Sequence, residues 1–228
     1  TRPKEESINL IDNLIKLGHS VTHLPVIKIE KLETRKINFQ NYKAVIFTSS
    51  NAIKFMNIEK FDFKIKCFCV GKSTELMARK MGFTNTYTSE GTVDSLVELI
   101  KRTLDSKSGK LLYLSSEFIS RDLDKDLIKS GYSVDRISNY TSIPVEEVDR
   151  KALDFLEKKP PDVIFIYSSK SAKNLFKLIN KYSLLNVVTQ CNLMCISEKV
   201  LSVLKEIKWK EVFIFSPGEE EFLLNKIR

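Results

Sequence analysis

Hydroxyl side chains gather in this sequence where apolar runs end. Phe47-Thr48-Ser49-Ser50-Asn51-Ala52 aligns with Tyr167-Ser168-Ser169-Lys170-Ser171-Ala172. Cys69-Val70-Gly71-Lys72-Ser73-Thr74 pairs with Cys195-Ile196-Ser197-Glu198-Lys199-Val200, and Tyr113-Leu114-Ser115-Ser116 with Ile214-Phe215-Ser216-Pro217. The order apolar run, hydroxyl cluster, helical pattern therefore recurs in each half of the chain. Two kinds of chemistry fit such clusters. Ser and Thr are favoured helix caps, because a side-chain oxygen accepts from an otherwise unpaired N–H of the first turn. The same helix ends also attract anions, since free N–H groups and the positive end of the helix dipole converge there. In open α/β sheets, ligands bind beyond the carboxyl ends of the strands, where these clusters fall.

Other chemistries lack their residues. No G-x-G-x-x-G follows a strand-like run, which disfavours a classical dinucleotide fold. Gly71-Lys72-Ser73 imitates the tail of a Walker A loop, but the motif needs Gly at the position that Lys66 occupies. No G-x-S-x-G elbow and no H-E-x-x-H is present. The cysteines, Cys67, Cys69, Cys191 and Cys195, form no C-x-x-C pair, and His19 and His23 are distant in sequence, so no metal site is expected. Cys67 and Cys69, two apart in a strand-like run, should share one face, and all four thiols should be buried and reduced.

The elements that must position the clusters alternate. Strand-like runs at 44–47, 67–70, 111–114, 163–166, 193–196 and 212–215 are apolar on both faces, as a parallel sheet covered by helices demands. Amphipathic stretches lie between them at 7–17, 93–104, 123–129 and 151–158. Thr92-Val93-Asp94-Ser95 supplies helix-start chemistry, and Gly18, Gly82 and Gly131 stand where helices stop. The fold class is α/β with parallel sheets, in two similar domains. The chain of 228 residues allows two of about 100–120 each. Pro-containing extended segments mark the crossings. One domain is expected to be discontinuous, 1–26 plus 142–228, and the other to span 29–139. Linker strands at 24–29 and 139–144 would join them and could pair with each other.

The formal charge of +8 comes from Lys spread along the whole chain, with no basic block and no basic helix interleaved with aromatics. That pattern suits a solvated surface or a small polyanion better than nucleic acid. No window reaches the ~20 apolar residues of a spanning helix, and no signal-peptide pattern opens the chain; the expectation is a cytoplasmic protein that engages neither membrane nor nucleic acid. Thr1-Arg2-Pro3 reads as the end of a strand, with residues expected upstream. From these features two functions stay open: an enzyme acting on a polyanion, or a non-enzymatic two-lobed module that binds a small anion.

In full order and spacing the motifs resemble the uroporphyrinogen-III synthase family. The resemblance runs from Thr1-Arg2-Pro3 through residues 14–18, a strand ending at Pro25, and Ile46-Phe47-Thr48-Ser49-Ser50-Asn51-Ala52. It continues through Val70-Gly71-Lys72-Ser73-Thr74, Gly82, Leu112-Tyr113-Leu114, residues 127–131 and Asn139-Tyr140-Thr141-Ser142-Ile143-Pro144, to Tyr167-Ser168-Ser169 and Cys195-Ile196-Ser197. It implies two α/β domains joined by a two-stranded interdomain ladder, with the active-site cleft between them. It also implies a linear polycarboxylate substrate, hydroxymethylbilane, cyclised with inversion of ring D and loss of water by a lyase without cofactor, expected to be monomeric. Tyr140 matches the family's tyrosine near the ladder, a candidate donor to the departing hydroxyl, since a phenol is protonated at neutral pH; packing at a hinge is the other reading. Thr74 would cap the next helix or bond a substrate carboxylate. The candidate substrate-binding residues are Arg2, Thr48, Ser49, Ser50, Gly71, Lys72, Ser73, Thr74, Ser115, Ser116, Ser168, Ser169, Lys170, Ser171 and Ser197. Val200 departs from the family's frequent Thr, and Glu198 adds negative charge to the same turn.

Overall fold

Strands follow helices through most of the computed structural model, which describes residues 1–216, 219, 220 and 224. In chain order the first elements are α1 (Lys4–Lys16), β1 (Ile27–Lys31), β2 (Ile37–Asn38), β3 (Ala44–Phe47), α2 (Ser50–Lys54), β4 (Ile58–Lys60), β5 (Lys66–Cys69), α3 (Lys72–Lys80), β6 (Thr86–Thr88) and α4 (Val93–Thr103). Then come β7 (Leu111–Ser116), α5 (Leu123–Lys129), β8 (Val134–Pro144), α6 (Arg150–Lys158), β9 (Val163–Ile166), α7 (Ser169–Lys181), α8 (Leu185–Val188), β10 (Asn192–Cys195), α9 (Glu198–Leu201) and β11 (Val212–Ile214). Among the described residues no helix is long and apolar enough to cross a membrane.

The chain divides into two compact units, one of Thr1–Lys28 with Ile143–Arg228 and one of Ile29–Ser142. The second unit is built on a six-stranded sheet of order β1-β8-β7-β3-β5-β6. Its inner pairs are parallel: Ile46 lies beside Phe68 of β5 on one side and Tyr113 of β7 on the other. Because side chains alternate across a strand, the apolar run of β3 feeds two cores. Val45 and Phe47 pack with Ala52, Ile53 and Ala78 of α2 and α3. Ala44 and Ile46 pack with Leu96, Ile100, Leu123 and Leu127 of α4 and α5. That two-sided burial is why the run has no polar member. Cys67 and Cys69 face one core together, their sulfurs 3.8 Å apart, and their contact favours the neutral thiol, so the pKa of Cys67 rises. All four cysteines are buried and free.

Local chemistry sets the boundaries. Thr92 and Ser95 form a reciprocal capping box at the start of α4. Gly82 ends α3 at φ +105°, where a Cβ would also lie 2.2 Å from the Phe63 ring, so only glycine fits there. Gly18 and Gly131 take the same left-handed role after α1 and α5.

The first unit has a three-stranded parallel sheet of order β11-β10-β9. The sequence leads one to expect a strand ending at Pro25, yet residues 19–25 form neither strand nor helix. The segment is tied to the first residues of the chain by the His23 Nε2, 2.9 Å from the Arg2 carbonyl, and by the following Val26, whose N–H donates to the Thr1 carbonyl at 3.1 Å. The carboxamide of Asn174 in α7 is buried and donates to the carbonyls of Val26 and Val145, at 2.6 and 2.9 Å, and so fastens both strands that leave this unit.

Candidate functional site

The hydroxyl clusters stand at strand carboxyl ends, as the pattern requires, and three of the six cap helices through a serine side chain. Ser49 accepts from the Asn51 N–H at 3.2 Å to open α2. Ser168 accepts from the Ser171 N–H at 3.0 Å to open α7, with the two serine hydroxyls 2.8 Å apart. Ser197 does the same for the short α9 through the Val200 N–H, at 3.4 Å. Counted from the strand ends, Ser49 and Ser168 each stand two residues beyond their strand and do the same local work, which shifts by one residue the sequence alignment that paired Ser49 with Ser169. Ser50 and Ser169 are the first residues of their helices and half-buried.

Each unit braces its matched end differently. In the second unit Thr48 shares a 3.1 Å hydrogen bond with the Tyr113 hydroxyl from the neighbouring strand β7. Burial raises the Tyr113 pKa while that hydrogen bond opposes the rise. In the first unit the Arg2 guanidinium lies 4.6 Å from the centre of the Tyr167 ring, an attractive cation–π geometry, and is held by Glu6 at 3.2 Å. The Tyr167 hydroxyl donates to Glu220 at 3.0 Å. Burial, reinforced by that carboxylate, drives the Tyr167 pKa upward.

The turn after β5 differs from expectation. Gly71 occupies the cap position of α3 and Thr74 lies inside the helix, buried, so Thr74 does not cap it. Lys72 does not extend alone into solvent; it reaches Glu75 at 2.8 Å, and Arg79 reaches the same carboxylate at 2.8 Å. Thr86 adds a third bond at 3.0 Å. These donors, Lys72 first, hold the Glu75 pKa down to about 2. Ser73 is exposed beside them.

Ser115 and Ser116 are gripped by a residue that the sequence pattern does not single out. Arg136 on β8 donates to the Ser115 hydroxyl at 2.9 Å and to the carbonyls of Ser116 and Glu117 at 2.9 and 3.0 Å. Those bonds fix the turn leaving β7. The available signal was an arginine inside an otherwise strand-like run, where a charged side chain needs partners.

Tyr140 follows an irregularity in the sheet. Ser115 pairs with Ser138 but Ser116 with Tyr140, leaving Asn139 as the extra residue. Such bulges redirect the side chains around them. Asn139 turns its amide to the Ala52 carbonyl of α2 at 2.7 Å. The Tyr140 ring enters the core shared with α2, 7% exposed and 6.5 Å from Phe55. The Asn139 Oδ1 and Thr141 Oγ1 atoms on either side are buried without a partner among the described residues.

Lys170 and Ser171 begin α7 next to the Ser168 cap. Ser216 donates its N–H to Glu219 at 2.9 Å, and Pro217 lies outside the described residues. Among the described residues, no group of three or more His, Cys, Asp or Glu could hold a metal ion. The larger cavity, about 480 Å³, lies within the first unit and touches Arg2 and Tyr167 but not the serine caps. The smaller, about 320 Å³ in the second unit, lies beside Tyr42, Lys110 and Asp135, which precede or open their strands; neither coincides with the hydroxyl clusters.

A family model described as uroporphyrinogen-III synthase HemD matches residues 9–219. The chain is similar to the porphyrin biosynthesis protein HemD of Ruminiclostridium josui, 25% identical over 165 residues, which are 66% of this chain and 33% of that protein. It therefore spans about a third of the length of that curated relative. In fold it is similar to the uroporphyrinogen-III synthetase of Helicobacter pylori, with a TM-score of 0.64 at 16% identity over 90% of this chain and 92% of that one. A mutant uroporphyrinogen III synthase from the extremely thermophilic bacterium Thermus thermophilus gives a TM-score of 0.51 at 16% identity, covering 97% and 94%. At these identities the structural likeness carries the fold alone.

Proposed function

The chain belongs to the uroporphyrinogen-III synthase family, and we propose that it cyclises linear hydroxymethylbilane to uroporphyrinogen III, inverting ring D and losing water. The observation that carries the reading is the family match across residues 9–219. Two matched, serine-capped helix starts, Ser49 on α2 and Ser168 on α7, support it. Short hydroxyls and first-turn N–H groups suit the carboxylates of such a substrate. The turns carrying Ser115, Ser116 and Ser197, the Gly71–Thr74 turn, and Arg2 with Lys170 are the further contacts we propose.

In this reaction the hydroxyl leaves, its carbon becomes electrophilic, and a pyrrole carbon attacks to close the ring. An ionised bilane is reactive by itself, so positioning its ends supplies most of the catalysis. Tyr140 is the residue we assign to assist departure, its O–H donating to the leaving oxygen. We propose a cytoplasmic, monomeric lyase that acts without metal or nucleotide, with domains joined by the segments 24–29 and 139–144. Freshly generated hydroxymethylbilane should disappear faster with the purified protein than without it, in buffer free of cofactor. Consumption at the spontaneous rate would contradict the proposal. Tyr140→Phe should lower kcat about tenfold or more with an unchanged unfolding midpoint; unaltered turnover would remove Tyr140 from the mechanism.

A further inference from the structure

The loop that leaves β7 presents an aromatic ring to solvent. Phe118 is 66% exposed, the highest value among the described large apolar side chains. It stands two residues past the end of β7, at the strand carboxyl ends where the hydroxyl clusters gather. A single exposed apolar residue needs no explanation by itself, but this one sits on a fastened backbone. Arg136 of β8 donates to the carbonyls of Ser116 and Glu117, at 2.9 and 3.0 Å. The Glu117 N–H donates to the Tyr140 carbonyl at 2.8 Å. The residue before Phe118 therefore has both of its backbone polar groups tied to β8.

The far side of the loop is anchored as well. Arg121 pairs with Asp94 in the first turn of α4 at 2.7 Å and with Asp126 of α5 at 3.2 Å. Leu123, the first residue of α5, is fully buried in the core that α4 and α5 share. Only Phe118, Ile119 and Ser120 lie between the two anchors, and Ile119 is already half-buried. Phe118 is thus the apolar residue that the loop spends on solvent. A ring on a fixed backbone offers a ligand a flat apolar face at little ordering cost when it binds. The hydroxyls and first-turn N–H groups nearby suit carboxylates, but the pyrrole rings that bear those carboxylates need a partner of another kind.

We propose that Phe118 binds the substrate, its ring stacking on a pyrrole ring of hydroxymethylbilane while the neighbouring hydroxyl turns take the carboxylates. The inference rests on the function proposed above and deepens it, by naming what holds the rings. Aromatic pairs prefer offset or edge-to-face arrangements with centroids about 4.5–7 Å apart, and a pyrrole has the π face this requires. Hydroxyl clusters alone accept any polycarboxylate; a ring platform beside them selects one whose carboxylates are carried on aromatic rings. The bond from Glu117 fastens that platform to the backbone of Tyr140, the residue assigned to assist departure of the hydroxyl. Arg136 contributes without touching substrate, by holding the turn on which Phe118 stands.

Steady-state kinetics with freshly generated hydroxymethylbilane test the assignment. Phe118→Ala should raise KM about fivefold or more, with kcat held within about twofold and the unfolding midpoint unchanged, since an exposed side chain contributes little to stability. Phe118→Leu is apolar but has no aromatic face, and should raise KM at least about threefold. Phe118→Trp should keep the parent KM to within about twofold. As a control, Ile128→Ala removes a side chain of comparable exposure, 52%, from the far end of α5 and should alter neither constant. An unchanged KM in Phe118→Ala, with an active parent, would overturn the inference and leave the function standing. A parent KM in Phe118→Leu would do the same, by assigning the contact to apolar burial without stacking, and so would an equal rise in Ile128→Ala. A parent that consumes hydroxymethylbilane no faster than buffer would end the proposed function and this inference with it.

Discussion

β3 and β9 are near-equivalents in sequence, each an apolar tetrad running into a hydroxyl cluster, yet they hold different positions in their sheets. β3 lies between β5 and β7 with all four residues buried. β9 has β10 on one side and a cavity on the other, with three of its four residues half-buried. A two-sided apolar run therefore reports that a strand is built for burial on every side, and the number of neighbours decides whether the burial is realised. The caps after both strands form alike, because a cap is local chemistry that needs only the first turn of its own helix.

That comparison can be broken by mutation. Phe47→Ala in β3 should cost about 3–5 kcal/mol of stability in urea unfolding, as large-to-small changes in a closed core do, whereas Phe165→Ala beside the cavity should cost less than half as much. Equal losses would mean that the β9 edge is as well packed as β3. The charged networks should differ in the same sense. Glu75, buried under Lys72, Arg79 and Thr86, should lose about 1.5–3 kcal/mol as Glu75→Gln, whereas Glu6→Gln at the more open Arg2 pair should lose under about 1 kcal/mol. Because the folded pKa of Glu75 is about 2, below its ordinary 4.5, its contribution is complete above pH 4.5 and fades as pH falls toward 2. Midpoints measured from pH 5 to 2 should fall less steeply in Glu75→Gln than in the parent. The smallest effect is expected at the caps: Ser49→Ala and Ser168→Ala should each cost about 1 kcal/mol. A cost at only one of them would end the equivalence of the two strand ends.

Much of this was legible in the residues. Apolar runs with no alternation located β3, β5, β7, β9 and β10, and the three glycines fell at helix ends, because those signals depend on a few neighbouring residues. The clusters were legible as caps or anion sites for the same reason. What stayed hidden depends on partners far along the chain. Arg136 finds the carbonyls of Ser116 and Glu117 only because β7 and β8 pair. Thr74 is carried inside α3 because Gly71 takes the cap position. Residues 19–25 have strand-like composition but no described strand beside them. Tyr140 could be placed near a crossing, but its burial beside Phe55 follows from the bulge at Asn139, which no local pattern announces.

The isomer composition of the product tests the central claim most directly. Hydroxymethylbilane generated in situ, cyclised with the protein, oxidised and separated by chromatography should yield uroporphyrin III in excess over the type I isomer of the spontaneous reaction. Type I alone, matching the protein-free control, would contradict the account.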